Sequence, residues 1–175
     1  MTNERDVIRV VGMGNVLMGD DALGPHVARL LVARFELPDG VEVEDVGTPG
    51  LDLVPYLDGA LALVVVDTVV SDGPPGTIRV YRRDDLLASP PPDRTNPHQP
   101  GLREALMAAE LTSGMPDEVV LVGVVPANTE THTGLSPELR ARVDDVIRAV
   151  VDELDRLGRP LVPRDTPAEP DLWWE

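Results

Sequence analysis

The sequence has 175 residues, a length that suits one compact domain. Apolar residues make up 42% of the chain and aromatic residues only 3%, so its core must consist mainly of Val, Leu and Ala. The formal net charge of −16 disfavours nucleic-acid binding, which relies on Lys and Arg to neutralise phosphates. The absence of cysteine excludes disulfides, a thiol nucleophile and thiolate metal ligands.

Five short segments rich in Val, Ile and Leu predict β-strands: 7–11, 41–46, 61–66, 77–81 and 118–125. Between them we predict a helix that opens at Asp20 or Asp21, a short helix that ends at Leu57, and a helix over 102–111. A last, long helix is capped by Ser136 and ends at Gly158. This alternation predicts a three-layer α/β/α sandwich with a mostly parallel, twisted sheet of about five strands.

The chain is expected to form a single domain over residues 1–158. Residues 82–100 contain five prolines and predict a long loop with little regular structure. Residues 159–175 are also proline-rich and are expected to form a flexible tail. The most apolar segment, 60–70, is broken by Asp67 and is too short to span a membrane. We therefore expect a soluble, cytoplasmic protein that binds neither a membrane nor nucleic acid.

Acidic residues follow the first three predicted strands. The first strand leads into a glycine-rich turn and Asp20–Asp21, the second contains Asp45 near its end, and the third runs directly into Asp67. Ligands in open α/β sheets bind beyond the carboxyl ends of the strands, so we expect these residues at one edge. Asp67 is the most informative, because an ionised carboxylate after six apolar residues needs a hydrogen bond, an ion pair or a metal.

Each candidate also has an ordinary structural explanation. Asp67 can cap the loop after its strand, and Asp20 and Asp21 can serve as a helix N-cap and a favourable charge at the helix start. His98, in the proline-rich segment, can be a solvated loop residue. One histidine with two carboxylates is nevertheless a normal ligand set for a divalent ion, and such a set would leave coordination positions open.

Several catalytic signatures are missing from the sequence. It contains no complete dinucleotide-binding fingerprint, Walker A lysine, G-x-S-x-G elbow or H-E-x-x-H pair. The other two histidines are weaker candidates than His98. We expect His26 at the surface of the first helix and His132 in support of a loop.

The sequence resembles the maturation endopeptidases of NiFe hydrogenases over about residues 8–157. Five segments carry the resemblance, in the order and at the spacing of the family: VVGMGNVLMGDDALG, DVGTPGLDLV, VVVDTVV, NPHQPGL and LVGVVP. Each segment alone is weak, but their ordered combination is specific.

The resemblance implies an endopeptidase that removes a C-terminal extension from the hydrogenase large-subunit precursor once nickel has been inserted. Nickel would arrive with the substrate and act as the recognition element. Position by position, the ligands of the family fall on Asp21, Asp67 and His98. The resemblance also implies a substrate cleft that includes Asp45, Gly47, Thr48 and Gly50. The sequence leaves two mechanisms open: the metal activates the attacking water, or Asp21 or Asp67 activates it as a general base.

Two other functions are compatible with the sequence. A nickel-dependent chaperone or binding module for a hydrogenase subunit could use the same ligands without turnover. The VVGMGN segment is also similar to the start of peptidyl-tRNA hydrolases, although Asp20–Asp21 and the acidic composition argue against a tRNA substrate.

Overall fold

A computed structural model describes residues 6–88, 101–112 and 114–175. A five-stranded sheet lies at its centre, with the strand order β3-β1-β4-β6-β5. The strands of this sheet are β1 (Val7–Met13), β3 (Val41–Gly47), β4 (Ala60–Thr68), β5 (Ile78–Arg82) and β6 (Glu118–Val124). Neighbouring strands are parallel except for β5, which pairs antiparallel with β6.

Helices cover both faces of the sheet. They are α1 (Leu23–Arg34), α2 (Val54–Leu57), α3 (Arg83–Ala88), α4 (Leu102–Thr112), α5 (Pro137–Arg140) and α6 (Val143–Arg156). Alternate residues of β4 enter two separate apolar clusters, one with α1 and α6 and the other with α2, α3 and α4. This arrangement confirms the predicted three-layer α/β/α sandwich with a mostly parallel sheet. Among the described residues, no helix combines the length and the apolar character needed to cross a lipid bilayer.

The predicted loop over 82–100 is wrong at its beginning. The chain forms α3 directly after β5, where the Asp85 carboxylate accepts a hydrogen bond of 2.8 Å from the backbone N–H of Arg82. This contact satisfies a free N–H at the start of the helix, and Leu86 is buried. Residues 89–100 lie outside the described part of the chain.

The predicted long helix after Ser136 is divided into α5 and α6. Ser136 does act as the N-cap, since its hydroxyl accepts a hydrogen bond of 3.3 Å from the N–H of Leu139. At Arg142 the backbone N–H donates to the carbonyl of Leu139, three residues back, which tightens the chain between the two helices. The Arg142 side chain donates to the carbonyl of Gly76, 3.3 Å away.

The C-terminal segment makes contacts that its prolines did not predict. The short strand β7 (Val162–Pro163) pairs antiparallel with β2 (Phe35–Glu36), which follows α1. Trp174 is only 2% exposed and lies in the apolar cluster of α1 and α6, together with Leu161. This arrangement differs from the expected flexible tail, because burial of these two apolar side chains favours packing of the segment.

A cluster of four charged side chains joins α6 to the sheet. Arg82 donates two hydrogen bonds of 2.6 Å to the Glu153 carboxylate, and Arg156 bonds to both Glu153 and Glu118. Burial raises the pKa of the Glu153 carboxyl, but the hydrogen bonds from Arg82 and Arg156 outweigh it and hold the pKa below its usual value. The hydrogen bonds from Arg156 also lower the pKa of Glu118.

Candidate active site

The carboxyl ends of β1, β3 and β4 meet at one edge of the sheet, as the sequence predicted. Met13 pairs with Gly47, and Gly12 pairs with Val66 one position before Asp67. The chain runs outward from β1 to β3 on one side and returns to β4 on the other. The edge between β1 and β4 is therefore the switch point of the sheet, where α/β proteins commonly bind ligands.

Asp21 lies at this switch point, in a 3-10 helix (Gly19–Ala22) that precedes α1. Both of its carboxylate oxygens accept hydrogen bonds: Oδ2 from the N–H of Asn15 at 2.8 Å, and Oδ1 from the hydroxyl of Thr68 at 2.9 Å. Gly14 allows this close approach, because a Cβ atom there would lie 1.8 Å from the backbone oxygen of Asp21. Its φ of +143° also favours glycine. The glycine-rich turn thus sets the position of the Asp21 carboxylate.

Asp67 lies at the end of β4 and is 6% exposed. Its Oδ1 accepts a hydrogen bond of 2.8 Å from the backbone N–H of Thr68. One residue, Thr68, therefore donates to both Asp21 and Asp67. The sequence placed the two carboxylates at one edge but gave no indication that Thr68 joins them.

Asp20 has a different role from its neighbour. Its carboxylate is fully buried and accepts four hydrogen bonds from the loop after β6: from the N–H groups of Ala127, Asn128 and Ser136, and from the Ser136 hydroxyl. Neither Asp20 nor Asp21 acts as the predicted helix N-cap, because Met18 and Ala22 occupy the N-cap positions of the 3-10 helix and of α1. Asp20 instead fixes the site-bearing 3-10 helix to a distant loop.

The four predicted cleft residues lie at the end of β3. Gly47 ends the strand and accepts a hydrogen bond from the N–H of Gly14, which links it to the glycine-rich turn. Thr48 is exposed, and Gly50 starts a second 3-10 helix (Gly50–Leu53). Asp45 is occupied by other contacts, since its carboxylate accepts from the N–H of Gly47 at 3.1 Å and from the Arg29 guanidinium at 3.2 Å. A role for these residues in substrate handling stays a prediction.

The three histidines lie in different surroundings. His98 is outside the described residues, and the described part of the chain contains no group of three His, Asp or Glu side chains arranged to hold a metal. His26 is 6% exposed, so its predicted surface position is wrong; it is covered by Glu175, whose Oε1 lies 3.5 Å from Nδ1. Burial lowers the pKa of His26, against the opposing effect of Glu175. His132 accepts a backbone hydrogen bond from Gly19, which agrees with the predicted supporting role.

Fold and site together define an α/β domain with two carboxylates joined by one threonine at the switch point of its sheet. Comparison with known proteins assigns this domain to a family. The family model described as hydrogenase maturation protease matches residues 25–153. The hydrogenase 2 maturation protease of Escherichia coli K12 is 35% identical over 159 residues, which cover 90% of this chain and 96% of that protein.

Other proteins agree with this assignment. The hydrogenase expression/formation protein HupM of Azotobacter chroococcum is 35% identical over 97% of this chain and 81% of its own length. The solved structure of the hydrogenase maturating endopeptidase HybD from Escherichia coli superimposes with a TM-score of 0.82, at 34% identity over 90% of this chain and 98% of that one. The chain therefore belongs to the hydrogenase maturation proteases, a family of endopeptidases. This membership argues against the peptidyl-tRNA hydrolase alternative.

Proposed function

We propose that this protein removes the C-terminal extension from a NiFe hydrogenase large-subunit precursor, and that nickel in the precursor is its recognition element. The observation that carries the proposal is the convergence of Asp21 and Asp67 on Thr68 at the switch point, in a chain that belongs to the maturation proteases. Nickel is then part of the substrate rather than a resident cofactor of the enzyme.

The side chains proposed as ligands have suitable chemistry for this task. Two carboxylates and a neutral imidazole balance the charge of a dication and leave positions open for groups of the substrate. Asp21 and Asp67 supply the carboxylates, and we assign His98 as the third ligand from its match to the family motif. Nickel held in this way would position the scissile bond, and either the metal or one carboxylate would activate the attacking water.

The composition bears on where the protein acts. A chain of 175 residues without cysteine is compatible with a reducing compartment, and we propose that processing takes place in the cytoplasm. Fractionation of cells that produce the tagged protein would test this location.

Incubation with candidate precursors, with and without inserted nickel, tests the function directly. Mass spectrometry should show loss of a C-terminal peptide from the nickel-loaded precursor only. Tight binding with the precursor mass unchanged would instead support a nickel-dependent binding module. Equal cleavage of both precursors would show that nickel is not the recognition element.

Substitution of the proposed ligands tests the site. His98→Ala, Asp21→Asn and Asp67→Asn should each abolish cleavage of the nickel-loaded precursor while the protein still folds. Asp58→Asn is a matched control, because Asp58 is exposed and lies just before β4, at the opposite end of that strand from Asp67. Normal processing by His98→Ala would refute the assignment of the third ligand.

A further inference from the structure

The side chains of β4 alternate between the two faces of the sheet, and this alternation separates Asp67 from Thr68. Ala62, Val64 and Val66 enter the cluster on the α1 face, whereas Leu63 and Val65 enter the cluster on the α4 face. By the same period of two residues, Thr68 points toward α1 and Asp67 toward α4. Thr68 follows Asp67 in the chain and contacts both Asp67 and Asp21.

Thr68 has contacts in both directions. Its hydroxyl donates to Asp21 Oδ1 at 2.9 Å, and its backbone N–H donates to Asp67 Oδ1 at 2.8 Å. The residue is 3% exposed, so its side chain is held in a packed environment rather than in solvent. The other donor to Asp21 is the backbone N–H of Asn15. Of the two donors to the Asp21 carboxylate within residues 6–88, 101–112 and 114–175, only Thr68 depends on the identity of a side chain.

We propose that Thr68 is a positioning residue whose hydroxyl holds the Asp21 carboxylate in the geometry required for the task that it shares with Asp67. The inference rests on the proposed function for what that task is, but the geometry itself is independent of it. Partners that orient ligands or catalytic groups commonly contribute about 10–100-fold to metal affinity or activity. An error of about 1 Å in placement can have a similar effect on rate.

Three variants isolate the Thr68 hydroxyl. Thr68→Val keeps the branched shape and removes the O–H group, whereas Thr68→Ser keeps the O–H group and removes the methyl group. Thr77→Val is the matched control: it also removes one threonine hydrogen bond, from Thr77 Oγ1 to the carbonyl of Pro74 at 2.7 Å, in a turn before β5. Thr68→Ala replaces Thr68→Val if that variant does not fold.

Two measurements compare the variants. The first is kcat/KM for cleavage of nickel-loaded precursor, and the second is the crystal structure of each variant. We expect kcat/KM to fall about 10–100-fold in Thr68→Val, and to stay near the wild-type value in Thr68→Ser and Thr77→Val. The Asp21 carboxylate should leave its wild-type position in Thr68→Val but keep it in Thr68→Ser. Wild-type kcat/KM in Thr68→Val, or equal losses in the Val and Ser variants, would overturn the proposal.

Failure of the proposed function is distinguishable from failure of this inference. If the wild-type protein cleaves no nickel-loaded precursor, the proposed function is wrong, and the crystal structures alone decide the role of Thr68. Displacement of Asp21 in Thr68→Val but not in Thr68→Ser would then still support positioning. An Asp21 carboxylate that stays in place without the hydroxyl would overturn it.

Discussion

Replacement of Asp20 by asparagine should destabilise the fold, although this substitution changes none of the proposed ligands. The carboxylate has no exposed surface and accepts four hydrogen bonds. Three of them reach Oδ2, from Ala127, Asn128 and the Ser136 hydroxyl, and one reaches Oδ1, from the N–H of Ser136. Asparagine can place its carbonyl oxygen at the Oδ2 position, but its NH₂ group then faces the N–H of Ser136, and two donors cannot pair.

The expected loss of unfolding free energy follows from these four hydrogen bonds. A hydrogen bond to a charged group contributes about 1.5–3 kcal/mol, so loss of the Ser136 bond alone should cost at least that much. The three remaining bonds become weaker as well, because their acceptor is no longer charged. For a domain of this size the expected fall in melting temperature is about 3–12 °C.

Urea unfolding followed by circular dichroism measures the effect. The midpoint should fall for Asp20→Asn while the m-value stays constant, because the surface exposed on unfolding is unchanged. Asp152→Asn is the control: Asp152 is an exposed carboxylate on α6, and its substitution should change stability by about 0.5 kcal/mol or less. A loss equally small for Asp20→Asn would refute the role assigned to this buried carboxylate.

Three further predictions concern the rest of the fold. Trp174→Ala should cost about 3–5 kcal/mol of unfolding free energy, because Trp174 is 2% exposed. The adjacent Trp173→Ala should cost about 1 kcal/mol of unfolding free energy or less. Equal losses of stability in the two variants would contradict packing of the tail. Gly14→Ala should cost about 1–3 kcal/mol, measured by urea unfolding, because the new Cβ would meet backbone oxygen at a strained φ. Glu153 has a lowered pKa in the folded state, so its contribution is present above the unfolded value of 4.5 and is lost as pH falls through the folded value. Arg82→Gln should therefore show a smaller loss of stability between pH 7 and acid than the wild type, and an equal loss would contradict this account.

The sequence predicted those features that depend on local pattern. Runs of β-branched residues identify β1 and β4, and alternation of strands with helices predicts a parallel sheet. The convergence of Asp21 and Asp67 followed from topology alone, because parallel strands place their carboxyl ends together. These predictions needed no information about which side chains touch.

The features that the sequence did not reveal depend on contacts between distant segments. The partners of Asp20 lie more than 100 positions away along the chain, so no local spacing distinguishes this buried anchor from a helix cap. The bond between Thr68 and Asp21 spans 47 positions and depends on where the 3-10 helix that carries Asp21 lies relative to β4. The same limitation applies to Trp174, because proline-rich composition indicates an irregular backbone but not where its apolar side chains pack.

The contacts of Asp21 explain why a cation carried by the substrate would matter. Both donors to Asp21 in the described part of the chain are neutral groups, a backbone N–H and a hydroxyl, so they orient the carboxylate without cancelling its charge. Asp67 brings a second carboxylate to the same threonine, and like charges held together favour binding of a cation. Under the proposed function, a nickel-loaded precursor would supply that positive charge, whereas a metal-free precursor would present only peptide to an edge that carries two carboxylates. On this argument the informative quantity is the ratio of kcat/KM for the two precursors, because a ligand to nickel affects that ratio and a residue that only supports the fold lowers both values together.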